Sequence, residues 1–92
     1  MTTEPTITTL KLRPLVRWWA QQMERVLREN NDKRGWQSMP NWEIYRRMTE
    51  EFSEITQAMA GYHGNLIDEL VDLANFAAFM AWNNRQGDGH AS

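Results

Sequence analysis

The chain has no cysteine among its 92 residues. That excludes a disulfide framework, a thiolate metal site and a cysteine nucleophile. No run is long and apolar enough to span a membrane. Residues 1–10 are polar and threonine-rich and lack the apolar stretch of a secretory signal. These absences point to a cytoplasmic protein, in the host cytoplasm if the source is a phage, as the small single-domain format suggests. No stretch alternates with the period of a strand, and nothing repeats. Bases are nearly missing from the second half. From Met48 to Ser92 there are seven acidic residues and one base, Arg85, whereas Lys11 to Arg47 holds nine basic and four acidic residues. The net charge of −2 conceals this split. A basic half beside an acidic half suits a metal–triphosphate site, with carboxylates for the cation and Lys or Arg for the phosphates.

What is present is helical periodicity. Pro14 fits the first turn of a helix, where its missing N–H has no partner to lose. Leu15, Trp18, Trp19, Met23, Val26 and Leu27 then recur at helical spacing to about Glu29. Asn30 to Gly35 is polar and turn-like. Pro40-Asn41 reads as a second start, with Asn41 as the cap, and Ile44, Met48, Phe52, Ile55 and Met59 carry that helix to about Ala60. Gly61 and Gly64 bracket a turn. A third helix is expected from about Asn65 to Asn83, apolar around most of its circumference, the mark of a buried helix. The expected fold is all-α: a compact bundle of about three helices, an antiparallel hairpin with a further helix packed on it, completed by oligomerisation. Residues 1–10 and 85–92 read as flexible tails around a helical domain at 11–84. Most of the five tryptophans are expected in the core or in subunit contacts.

The acids of the second half are ordered. Glu51-x-x-Glu54 on helix two is followed, fourteen residues on, by Glu69-x-x-Asp72 on helix three. Residues three apart sit about 5–6 Å from each other on a helix. Folded antiparallel, the two pairs can face each other. Four converging carboxylates repel unless a divalent cation lies between them, and hard oxygen ligands suit Mg²⁺ or Mn²⁺. On a helical wheel Glu51 and Glu54 fall at the edge of the apolar stripe, and Glu50 lies further out. Asp68, Glu69, Asp72 and Asn75 share one arc of helix three with Phe76 and Phe79. An ordinary solvent face would carry Lys and Arg as well, and this arc has none.

Glu-Glu-Phe-Ser-Glu-Ile followed by Asp-Glu-Leu-Val-Asp-Leu-Ala-Asn resembles the signature of the MazG-like all-α nucleoside triphosphate pyrophosphohydrolases. That signature is E-x-x-E, a spacer, E-x-x-D, and an asparagine three residues later. The resemblance covers about residues 42–82. It implies that Glu51, Glu54, Glu69 and Asp72 are catalytic magnesium ligands and that Asn75 contacts substrate or braces the site. It also implies a homodimer or homotetramer, often with a site shared between subunits, and cleavage of a (d)NTP between its α- and β-phosphates. Mn²⁺ is expected to substitute. Lys33-Arg34-Gly35-Trp36 resembles a K-x-G-W stretch of phage relatives that act on purine deoxynucleotides such as dGTP or dATP. Lys33 or Arg34 would hold a phosphate and Trp36 would stack on a base, although the same residues fit a solvated basic loop anchored by Trp36.

On this reading the four carboxylates hold the cations, and one of them, or Glu50 behind them, orients the attacking water. Lys33, Arg34, Arg46 or Arg47 would offset charge on the departing pyrophosphate. Neither His63 nor His90 has a nucleophile partner. The competing readings are a non-enzymatic interaction module with an acidic partner face, an arginine-rich DNA-binding protein, and a house-cleaning hydrolase of modified nucleotides. The net acidity and the lack of a helix-turn-helix pattern argue against DNA.

Overall fold

A computed structural model describes residues 11–30, 38–62 and 64–86. Among them are three helices, α1 (Pro14–Glu29), α2 (Asn41–Met59) and α3 (Leu66–Gln86), and no strand. The protein is all-α. None of its described helices is long and apolar enough to cross a membrane.

Each helix starts and stops for a local reason. Pro14 opens α1 as expected, and the Arg13 carbonyl accepts the Arg17 N–H at 3.0 Å. Asn30 closes α1 by donating both its backbone N–H and its side-chain amide to the Val26 carbonyl. The start of α2 differs from expectation by one residue. Pro40, not Asn41, is the cap: its carbonyl accepts from the Glu43 and Ile44 N–H groups, and no side chain caps the end. Proline serves because its extended backbone (φ −69°, ψ 155°) feeds directly into the helix.

The turn between α2 and α3 is a Schellman closure. Tyr62 N–H bonds the Gln57 carbonyl and Gly61 N–H the Ala58 carbonyl, each at 3.1 Å. Gly61 takes φ +82° and Gly64 φ +90°, a region that costs other residues about 1–2 kcal/mol. Asn65 then caps α3, its side-chain oxygen accepting the Asp68 N–H at 3.1 Å and its carbonyl the Glu69 N–H at 3.0 Å. Asp68 and Glu69 occupy the first turn, where negative charge complements the helix dipole. Helix α3 runs three residues beyond the expected Asn83, so Arg85 belongs to it, and the Arg85 guanidinium lies 5.2 Å from the Trp82 ring. Residues 1–10 and 87–92 lie outside the described residues.

Helix α3 is the middle element. It packs most extensively on α2 and also on α1. Ile44 and Ile55 of α2, eleven residues apart on one face, are buried with Val71 of α3 and Val26 of α1. These four form the buried apolar core among the described residues. One expectation fails here. Helix α3 is not buried all round, since Leu66, Ile67, Leu70 and Trp82 are exposed. Two neighbours cannot enclose the circumference of a third helix. Of the tryptophans, expected in the core or in subunit contacts, Trp18, Trp42 and Trp82 are exposed and Trp19 is half-buried. Trp36 lies outside the described residues.

Candidate metal centre

The antiparallel α2–α3 pairing brings Glu51 opposite Glu69 and Asp72. One carboxylate oxygen from each lies within 4.8 Å of the others, and all three side chains are half-buried. Helix geometry accounts for this. Glu69 and Asp72 are three apart and project from one side of α3. Glu51 sits four residues before the buried Ile55, at the edge of the stripe that packs on α3. Gly64 leaves room for the cluster, because a Cβ there would stand 3.1 Å from Glu69 Oε2.

Of the four expected ligands, three meet. Glu54 is exposed and stands apart from the trio, though its charge still acts on Glu51. One turn further round α2, it falls off the packed stripe. Glu50, the candidate behind the ligands, is exposed and pairs with Arg46 at 2.6 Å on its own helix. Arg46 also reaches Glu43, so both of its partners lie along α2. Arg47 is exposed. Asn75 is buried at 4% exposure and donates to the Met23 carbonyl of α1 at 3.5 Å, while its Oδ1 has no hydrogen-bond partner. It braces α1 against α3. Lys33, Arg34 and Trp36 lie outside the described residues.

Sequence reasoning missed Arg25. It crosses from α1 to hold Asp68 at 2.7 Å and also bonds Gln22 and Glu29. Asp68 is thereby tied to α1 and separated in role from Glu69 and Asp72. Its place in the same acidic arc was legible, but no local spacing links residues 43 apart.

The trio is electrostatically uncomfortable. The Glu51 carboxyl is pushed up to about 7, first by burial, then by the charges of Asp72 and Glu69, by a hydrogen bond with Glu69, and by the charge of Glu54. A protonated Glu51 is the member that can donate to a carboxylate neighbour. Its Oε1 is buried without a hydrogen-bond partner among the described residues. A divalent cation would answer both features, by satisfying the orphaned oxygen and by cancelling the repulsion that holds the proton on Glu51. Three carboxylate oxygens within 4.8 Å of one another form a set that one hard cation could share. The donor set fits such an ion.

The chain is 36% identical over 62 residues to an uncharacterized protein of Archaeoglobus fulgidus, covering 66% of this chain and 67% of the relative. The two belong to one family. No family model matches the chain, and no solved structure matches it.

Proposed function

We propose that this protein hydrolyses a (d)NTP between its α- and β-phosphates, releasing the monophosphate and pyrophosphate. Glu51, Glu69 and Asp72 hold Mg²⁺, or Mn²⁺ in its place. The single observation that carries the reading is the half-buried carboxylate trio across α2 and α3, with Glu51 Oε1 lacking a partner. When bound, the cation supplies charge neutralisation on the phosphates and a lowered pKa for a bound water. The chain does the rest. Glu51 holds a proton near neutrality and would give it up to ligate a cation. Glu54, exposed and outside the trio, or Glu50 would be left to orient the attacking water. Asn75 holds α1 against α3. The preference for a purine deoxynucleotide such as dGTP or dATP rests on Lys33, Arg34 and Trp36.

Calorimetric titration with Mn²⁺, comparing wild type and Asp72→Asn, tests the centre itself. We expect saturable uptake with proton release in wild type and its loss in the variant. Equal uptake in both, or none in either, would leave the acidic arc as a face for a partner protein.

A further inference from the structure

Arg28 and Arg46 pair along their own helices, but Arg25 crosses from α1 to the acidic arc of α3. Its Nη2 donates to Asp68 Oδ1 at 2.7 Å. Asp68 precedes Glu69 and stands four residues before Asp72, and residues four apart on a helix lie about 5–6 Å from each other. A cation held by the carboxylate trio and the Arg25 guanidinium therefore flank the same stretch of α3. The guanidinium is also fixed from its own helix. Nε and Nη2 donate to Gln22 Oε1 at 3.2 and 3.1 Å, and Nη1 to Glu29 Oε2 at 3.3 Å. Both of these partners belong to α1, so the fork keeps its aim if Asp68 lets go. The contact with Asp68 is open to water, at 39% and 48% exposure of the two side chains. An ion pair so exposed contributes little and exchanges readily. The planar fork of an arginine matches phosphate oxygens as well as it matches a carboxylate.

We propose that Asp68 is an internal substitute for a phosphate group. It occupies the Arg25 fork in the free protein, and a pyrophosphoryl group entering beside the cation displaces it and takes the fork. The inference rests on the reading of the trio as a metal centre for a triphosphate. Charge selects Arg25 for this part. Glu51, Glu69, Asp72 and Asp68 crowd one region, and one divalent ion does not offset them together with an incoming polyphosphate. A second positive group must face the anion, and Arg25 is already aimed at this arc. Arg46, by contrast, is turned along α2 to Glu43 and Glu50. The exchange leaves no charge stranded. The guanidinium trades one oxygen anion for another, and Asp68, half exposed beforehand, passes into water. Asp68 thus sets a threshold: only an anion that outcompetes a neighbouring carboxylate is held.

Calorimetric titration with inorganic pyrophosphate, at fixed Mg²⁺ and ionic strength, tests it on wild type, Asp68→Asn, Arg25→Ala, the double variant and Arg28→Ala. We expect Asp68→Asn to bind about two- to fivefold tighter than wild type, because the fork is no longer held by a carboxylate. Arg25→Ala should bind at least about tenfold weaker. Arg28→Ala, which loses the same charge one turn away, should bind like wild type. In the double variant the gain from Asp68→Asn should vanish. A pair that only braces two helices would give no tightening in Asp68→Asn. An equal gain from Asp68→Asn with and without Arg25 would mean general charge removal and would overturn the proposal, as would wild-type affinity in Arg25→Ala. Should Arg25→Ala not fold, Arg25→Lys, which keeps the charge and loses the fork, replaces it with the same expected direction. Mn²⁺ uptake separates the two claims. A wild type that takes up no cation refutes the metal reading and this inference together. Saturable uptake with pyrophosphate binding absent, or indifferent to Arg25, refutes this inference alone.

Discussion

Replacing Glu51 by glutamine should make the metal-free protein more stable, and only above acidic pH. The glutamate titrates near 4.5 when unfolded and is raised to about 7 in the fold. Between those values the native state binds the extra proton, so stability falls as pH rises through this window and is level above it. At full strength a shift of this size is worth about 3 kcal/mol, but water reaches the half-buried side chain and screening reduces it to about 1–2 kcal/mol. Glutamine keeps the shape without the charge. Thermal unfolding followed by far-UV circular dichroism in EDTA, at fixed protein concentration, reads the difference. We expect Glu51→Gln to melt about 5–10 °C above wild type at about pH 8, with the gap closing towards pH 4. Added Mg²⁺ should reverse the order, because only wild type retains the third ligand. A variant less stable than wild type at every pH in EDTA would refute the reasoning, since Glu51 would then be a satisfied carboxylate.

Further outcomes follow from the same geometry. Gly64→Ala should cost stability through its left-handed backbone and also weaken cation uptake, because its Cβ would press on Glu69; Gly61→Ala, with open space around it, should lose about 1–2 kcal/mol and leave uptake intact. Thermal melts and Mn²⁺ titrations of the pair separate the two effects. Ile44→Ala, at a fully buried position, should cost about 2–5 kcal/mol in denaturant unfolding. Arg25→Ala should lower the melting temperature by loosening α1 from α3, an effect that fades in high salt, whereas Arg28→Ala, whose partner among the described residues is Glu24 on its own helix, should not.

Local signals in the sequence located the helices well. Pro14, the Asn30 turn and the Gly61–Gly64 pair fix their own backbone, and α1 spans the residues its periodicity marks. What failed was tertiary. A wheel showed Asn75 and Glu69 sharing an arc, but not that Asn75 would reach the Met23 carbonyl on another helix. The apolar circumference of α3 predicted burial, yet in one chain only two helices flank it. The same apolarity then reappears as an exposed face. Glu54 shows the limit at the site. Spacing of three places two acids on neighbouring faces, and only packing decides that Glu51 faces Glu69 and Asp72 while its neighbour a turn away does not.

The most direct measurement of the reaction is product analysis after incubation with the common NTPs and dNTPs in Mg²⁺ or Mn²⁺, resolving monophosphate, diphosphate, pyrophosphate and phosphate, with Asp72→Asn as control. We expect monophosphate and pyrophosphate in equal amounts, abolished by EDTA and by Asp72→Asn, with purine deoxynucleotides leading. Intact substrates throughout, or diphosphate and phosphate as products, would contradict it.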